Sequence, residues 1–133
     1  MKDKNVKLLL VEDEASLRDL YEQVFRLMGY HIETAVDGQD AVEKLDKMTE
    51  LPVLILLDMM MPKMTGFDVL RYIKNSGKLK DILIVILSSL DGGEEAETAK
   101  KLGAVRYLVK SKYEPRQVVE QVEEIIAEHS GKK

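Results

Sequence analysis

Short aliphatic runs alternate with longer stretches of helical period along this chain. Val6–Val11, Val53–Leu57 and Ile82–Leu87 are rich in Leu, Ile and Val and lack strict period-2 alternation. That is the pattern of strands covered on both faces. Between them the apolar positions recur at three- and four-residue intervals, as one face of a helix requires. In Ala15–Met28 these are Leu17, Leu20, Tyr21, Val24, Leu27 and Met28, with Gly29 as the stop signal. Asp40–Met48, Gly66–Ile73 and Glu94–Leu102 repeat the period, the last before Gly103. Pro115–Glu128 does so with Pro115 at a first helical position. Two weaker strands, His31–Ala35 and Val105–Val109, complete five strands alternating with five helices. Such alternation predicts an α/β fold, a doubly wound parallel sheet with helices on both faces and right-handed crossovers. His129–Lys133 reads as a frayed tail.

With 133 residues the chain is expected to form one domain over 1–133, its core spanning about residues 5–129, with no effector domain. A 45% apolar and 33% charged composition is that of an ordinary globular protein. The net charge of −4 offers no footprint for nucleic acid. No cysteine is present, which excludes disulfides and thiolate sites and suits the cytoplasm. Val6–Val11 is too short, and too soon followed by Glu12-Asp13-Glu14, for a signal peptide. Ile82–Leu87 falls far below the roughly 18 apolar residues of a membrane span.

In open α/β sheets, ligands bind beyond the carboxyl ends of the strands. Here those ends carry Glu12-Asp13, Asp58, Ser88-Ser89 and Lys110. If the third strand lies between the first and fourth, Asp13 and Ser88 flank Asp58 at about 4.8 Å per strand. Lys110 stands two strands away, roughly 10 Å, within reach of its flexible stem. Crowded carboxylates repel, and an oxygen-only set suits a hard cation such as Mg²⁺. A carboxylate dressed by such a cation, beside a hydroxyl and an ammonium, forms a phosphoryl-acceptor site. Taken singly the same residues have plainer readings. Glu12 and Asp13 could be first-turn charges at a helix start, Ser88-Ser89 strand-end hydroxyls, and Tyr107 half-buried packing.

Taken in order, Leu9-Leu-Val-Glu12-Asp13, Leu57-Asp58-Met-Met-Met-Pro62-Lys-Met-Thr-Gly66, Val85-Ile-Leu-Ser88-Ser89, Gly103-Ala104 and Tyr107-Leu-Val-Lys110 resemble the response-regulator receiver domain of two-component signalling. The resemblance covers almost the whole chain and implies a flavodoxin-like sheet with strand order 2-1-3-4-5. It also implies that Asp58 accepts a phosphoryl group from a sensor histidine kinase or a histidine phosphotransfer protein. Mg²⁺ would be held by Asp13, Asp58 and the backbone carbonyl of Met60, with Glu12 acting mainly through water on the metal. Ser88 and Lys110 would contact the phosphoryl oxygens. Tyr107 would swing inward, changing the surface of the fourth helix, fifth strand and fifth helix for a protein target. The same surface would support a monomer or a weak dimer. The protein would then be a signalling switch, catalysing only its own phosphorylation and slow dephosphorylation. A phosphorelay carrier, or a receiver cut from a longer regulator, are the alternatives.

The chain departs from the family pattern at three points. Ser111 follows Lys110 where a proline with a cis bond is usual, so the bond here is either trans or strained. The following loop is one residue longer, with Val118 in the first apolar slot of the last helix. Met60, two residues after Asp58, cannot position water as an amide or carboxylate could. Slow self-dephosphorylation is therefore expected, with Met60→Asn or Met60→Glu speeding loss of the phosphoryl group. Three rival functions fit less well. An aspartyl phosphatase would want an acid where Met60 stands. A flavin carrier would want a phosphate cradle where Glu12-Asp13-Glu14 would repel one. A docking-only module would not need the full set of carboxylate, hydroxyl and amine.

Overall fold

A computed structural model describes residues 6–130, apart from the side chain of Ser130. Five parallel strands lie in the order β2-β1-β3-β4-β5. They are β1 (Lys7–Val11), β2 (His31–Ala35), β3 (Leu54–Leu57), β4 (Leu83–Ser88) and β5 (Arg106–Val109). The helices between and after them are α1 (Ala15–Leu27), α2 (Gly38–Lys47), α3 (Gly66–Lys74), α4 (Glu94–Lys101) and α5 (Pro115–Ser130).

Alternate residues of each aliphatic strand enter different cores. Leu8, Leu10, Leu54, Leu56, Val85 and Leu87 pack with Tyr21 and Phe25 of α1 and Val118, Val122 and Ile125 of α5. Leu9, Val11, Ile55, Leu57, Ile84 and Ile86 pack with Leu45 of α2, Leu70 and Ile73 of α3 and Ala99 of α4. Both faces are dry, which is why these runs show no polar alternation. Each fully buried Leu or Ile contributes on the order of 2 kcal/mol.

Local chemistry sets the element ends. Gly29 closes α1 in the left-handed region, at φ 98°. Thr65 and Asp68 form a reciprocal capping box at the start of α3. Asp37 accepts the Asp40 amide at 2.8 Å, so α2 begins at Gly38, two residues before its apolar period. Val53 and Ile82, expected in strands, precede them, because pairing in β3 and β4 starts at Leu54 and Leu83. The expected tail starts too early: α5 runs through Ser130, with His129 Nδ1 2.9 Å from the Ile125 carbonyl. Residues 131–133 lie outside the described residues.

Candidate functional site

The register builds the site. Val11 pairs with Leu57 and Leu57 with Ile86, so the next residues of β1 and β3, Glu12 and Asp58, leave the sheet side by side. Their amides stay in the ladder, Glu12 donating to the Ala35 carbonyl and Asp58 to that of Val11, each at 3.1 Å. Both carboxylates are thereby held at the rim by backbone rather than by choice of rotamer. Val109 pairs with Ser88, which places Lys110 one residue past the end of β5.

Glu12 is 1% exposed and Asp58 4%, while Asp13 is exposed. Oxygen atoms of all three lie within 4.8 Å of one another. The Lys110 ammonium donates to Glu12 Oε1 at 2.8 Å and stands 3.6 Å from Asp58 Oδ1. Glu12 Oε2 accepts the Glu14 amide at 3.1 Å, and Asp58 Oδ1 accepts the Met60 amide at 3.3 Å. Burial pushes the Asp58 carboxyl up to about 6 and the Glu12 charge adds to it, with Lys110 opposing. Burial alone would lower the Lys110 ammonium, but the bond to Glu12 and the Asp58 charge outweigh it and hold it above its usual value.

Ser88 is fully buried, and its Oγ accepts the Leu90 amide at 3.1 Å. The half-buried Tyr107 donates its hydroxyl to the Leu90 carbonyl at 3.3 Å. Leu90 therefore joins the two. The β3–α3 loop closes tightly over Asp58. A Cβ on Gly66 would meet the Asp58 carbonyl at 2.6 Å and the Met59 sulfur at 2.7 Å, so only glycine fits. The Lys110–Ser111 bond is trans, like every peptide bond among the described residues. Residues Lys110–Lys112 form a 3-10 turn that absorbs the longer loop.

The structure thus gathers Glu12, Asp13, Asp58 and Lys110, with Met60 attached through its amide and Ser88 on the adjoining strand. It adds two residues of α1 that the apolar period gave no reason to single out. Arg18 donates to the Glu12 carbonyl at 2.9 Å, fixing the acidic turn. Tyr21 is 3% exposed and in electrostatic reach of Lys110, Glu12 and Asp58, though burial is the main cause of its raised pKa.

The donor set can hold a divalent ion. Three carboxylates against one ammonium leave surplus negative charge that a cation would offset. All donors are oxygen, as Mg²⁺ prefers. His31 and His129 take no part, since His31 begins β2 at the opposite edge and His129 closes α5.

A family model described as the response regulator receiver domain matches residues 8–123. The chain is 32% identical over 122 residues to the chemotaxis protein CheY1 of Helicobacter pylori, covering 91% of this chain and 97% of that protein. It is 33% identical over 120 residues to a probable transcriptional regulator, ycf27, of Guillardia theta, covering 90% of this chain and 45% of the relative. The phosphorylated cyanobacterial phytochrome response regulator RcpA is similar in structure, with a TM-score of 0.79, 28% identity and 92% of each chain covered. The chain spans about half the length of the ycf27 relatives it matches.

Proposed function

The chain belongs to the response-regulator receiver family, and from that premise we propose that Asp58 is its phosphoryl acceptor. The observation that carries this reading is a carboxylate 4% exposed, set 3.6 Å from an ammonium, with a second, buried carboxylate and a third, exposed one within 4.8 Å. An Asp58 oxygen attacks phosphorus, the phosphorus–nitrogen bond of a phosphohistidine breaks, and the imidazole leaves with the bonding pair. The donor class is a sensor histidine kinase or histidine phosphotransfer protein.

Asp13, Asp58 and the Met60 carbonyl would hold Mg²⁺, with Glu12 behind them. When bound, the ion neutralises charge on the transferred group. Lys110 supplies a second positive charge, leaving Glu12 for the phosphoryl oxygens. Ser88 has a hydroxyl hydrogen to donate to those oxygens, since its present bond uses only its acceptor capacity. Turning toward the phosphoryl group breaks its hold on Leu90 and frees Tyr107, whose hydroxyl shares that residue. One added dianion thereby biases the α4-β5-α5 surface that a protein target reads.

Intact-mass measurement after incubation with Mg²⁺ and acetyl phosphate tests the reading. One phosphoryl group should add to the wild type and none to Asp58→Ala. Equal labelling of both would place the acceptor elsewhere.

A further inference from the structure

Three consecutive methionines follow Asp58, and the fold treats them differently. Met59 is 2% exposed and Met61 8%, both in the core shared with α2 and α3, whereas Met60 keeps 59% of its surface in water. Met28, Met48 and Met64 are partly buried. Among the described methionines, Met60 is the most exposed residue. It is also tied to the acceptor, its amide donating to Asp58 Oδ1 at 3.3 Å.

The surroundings of Asp58 are lopsided. Glu12 and Ser88 close the inner side at 1% and 0% exposure. Asp13, with a carboxylate oxygen within 4.8 Å of those of Glu12 and Asp58, and Met60, tied to Asp58 through its amide, are both exposed, so the solvent side of Asp58 is the side these two residues border. A thioether is a weak acceptor and holds water poorly. A sulfoxide is polar and accepts strongly, and oxidation follows exposure.

We propose that Met60 is a modification site whose oxidation to the sulfoxide by a hydroperoxide shortens the life of the phosphoryl group on Asp58. The inference rests on the phosphotransfer reading above. The sulfur lone pair attacks one peroxide oxygen and the oxygen–oxygen bond breaks. That oxygen stays on sulfur, and with hydrogen peroxide the other departs as water. Sulfur is oxidised by two electrons and the peroxide reduced by two. In the subsequent hydrolysis the sulfoxide oxygen accepts a hydrogen bond from the attacking water. The phosphorus–oxygen bond to Asp58 breaks, orthophosphate leaves, the carboxylate is restored and a proton passes to solvent.

The experiment uses the full chain. Wild type and Met60→Leu are labelled with acetyl phosphate and Mg²⁺, then treated briefly with hydrogen peroxide or buffer and desalted. Intact mass, which separates species one oxygen heavier, follows loss of the phosphoryl group, and peptide mapping locates the added oxygen. Wild type should take oxygen first at Met60 and then lose label about two- to tenfold faster, the range one hydrogen bond corresponds to. Met60→Leu should decay at one rate with or without peroxide, and Met60→Gln, which mimics the polar oxygen, should decay faster than Met60→Leu. Equal decay of the oxidised and unoxidised wild type overturns the proposal, as does equal acceleration in Met60→Leu or oxygen found first on Met28, Met48, Met59, Met61 or Met64. Failure of untreated wild type to take any label is a different result, overturning the phosphotransfer reading and this one with it.

Discussion

At the carboxyl ends of the strands, Glu12, Asp58 and Ser88 are at most 4% exposed, and the Lys110 side chain is 13% exposed. At the amino ends the charged residues Lys78 and Asp81 stay in water, around a cavity of about 390 Å³ walled mainly by Leu51, Val53, Ile82 and Ile126. Lys7 is drawn in there, its side chain 11% exposed beside Glu33, and the half-buried Lys74 donates to the Lys80 carbonyl at 3.0 Å. The strands feeding both ends are equally apolar, so strand chemistry does not explain the contrast. One end spends stability to keep charge dry, where it can act on an incoming group; the other keeps charge wet at little cost.

The sharpest way to break the contrast is to remove the cation from the dry end. Lys110→Met leaves Glu12 and Asp58 facing each other without a counter-charge, and removing one partner of a buried pair costs about 3–5 kcal/mol. The loss should be largest near neutral pH and shrink as acid protonates the carboxylates. Lys78→Met at the wet end, where the ammonium bonds the Asp46 carbonyl at 3.0 Å, should stay within about 0.5 kcal/mol. Urea unfolding of both variants checks the pair. Similar costs at the two ends would mean that burial is not what separates them.

A smaller effect follows from the charge of Asp58 itself. Burial holds the Asp58 carboxyl at about 6 in the folded state, above its ordinary value of 3.8. Between those values the folded protein binds the proton more tightly than the unfolded chain, so this group's contribution to stability falls as pH rises and is flat above about 6. A displacement of that size corresponds to on the order of 3 kcal/mol. Asp58→Asn should therefore be more stable than wild type at pH 7, by about 2–3 kcal/mol without divalent ion, and the gain should vanish below pH 4. Added Mg²⁺ should stabilise wild type selectively. Paired unfolding curves from pH 4 to 7 measure it, and a gain that persists at pH 4 would assign it to something other than ionisation.

The same contrast explains how much could be read beforehand. The β1, β3 and β4 runs were legible because a sheet covered on both faces leaves no room for polar alternation. Asp58 and Lys110 were legible because a charge closing such a run has no packing reason to be there. The partner that Lys110 chooses was not legible. Its nearest carboxylate is Glu12, three strands away in the sheet order, and nothing in the sequence marks the pairing, because it depends on how the 3-10 turn at Lys110–Lys112 directs the lysine stem. Arg18 and Tyr21 were hidden for a related reason. Spacing tells which face of α1 meets the sheet, but not which residues overhang the ends of β1 and β5. Leu90 acts through its backbone, which side-chain type cannot reveal.

The smallest test concerns the turns rather than the charges. At the amino ends, the left-handed turns fall on Gly29 at φ 98° and Gly103 at φ 116°. In the β3–α3 loop beside Asp58, the exposed Lys63 holds φ 69° instead, the one non-glycine residue with positive φ among those described. The turn is tight, with the Met64 amide donating to the Pro62 carbonyl at 2.8 Å. A left-handed conformation costs an ordinary residue about 1–2 kcal/mol, whereas glycine adopts it freely but gives up about 0.5–1 kcal/mol of unfolded-state entropy. Lys63→Gly should therefore stabilise by a few tenths of a kcal/mol to about 1 kcal/mol. Gly103→Ala should destabilise, since its Cβ would meet the Lys74 side chain at 2.8 Å in a strained backbone. Thermal unfolding of the two variants checks the signs. A Lys63→Gly variant less stable than wild type would mean that the loop's conformation is set by a lysine contact and not tolerated against strain.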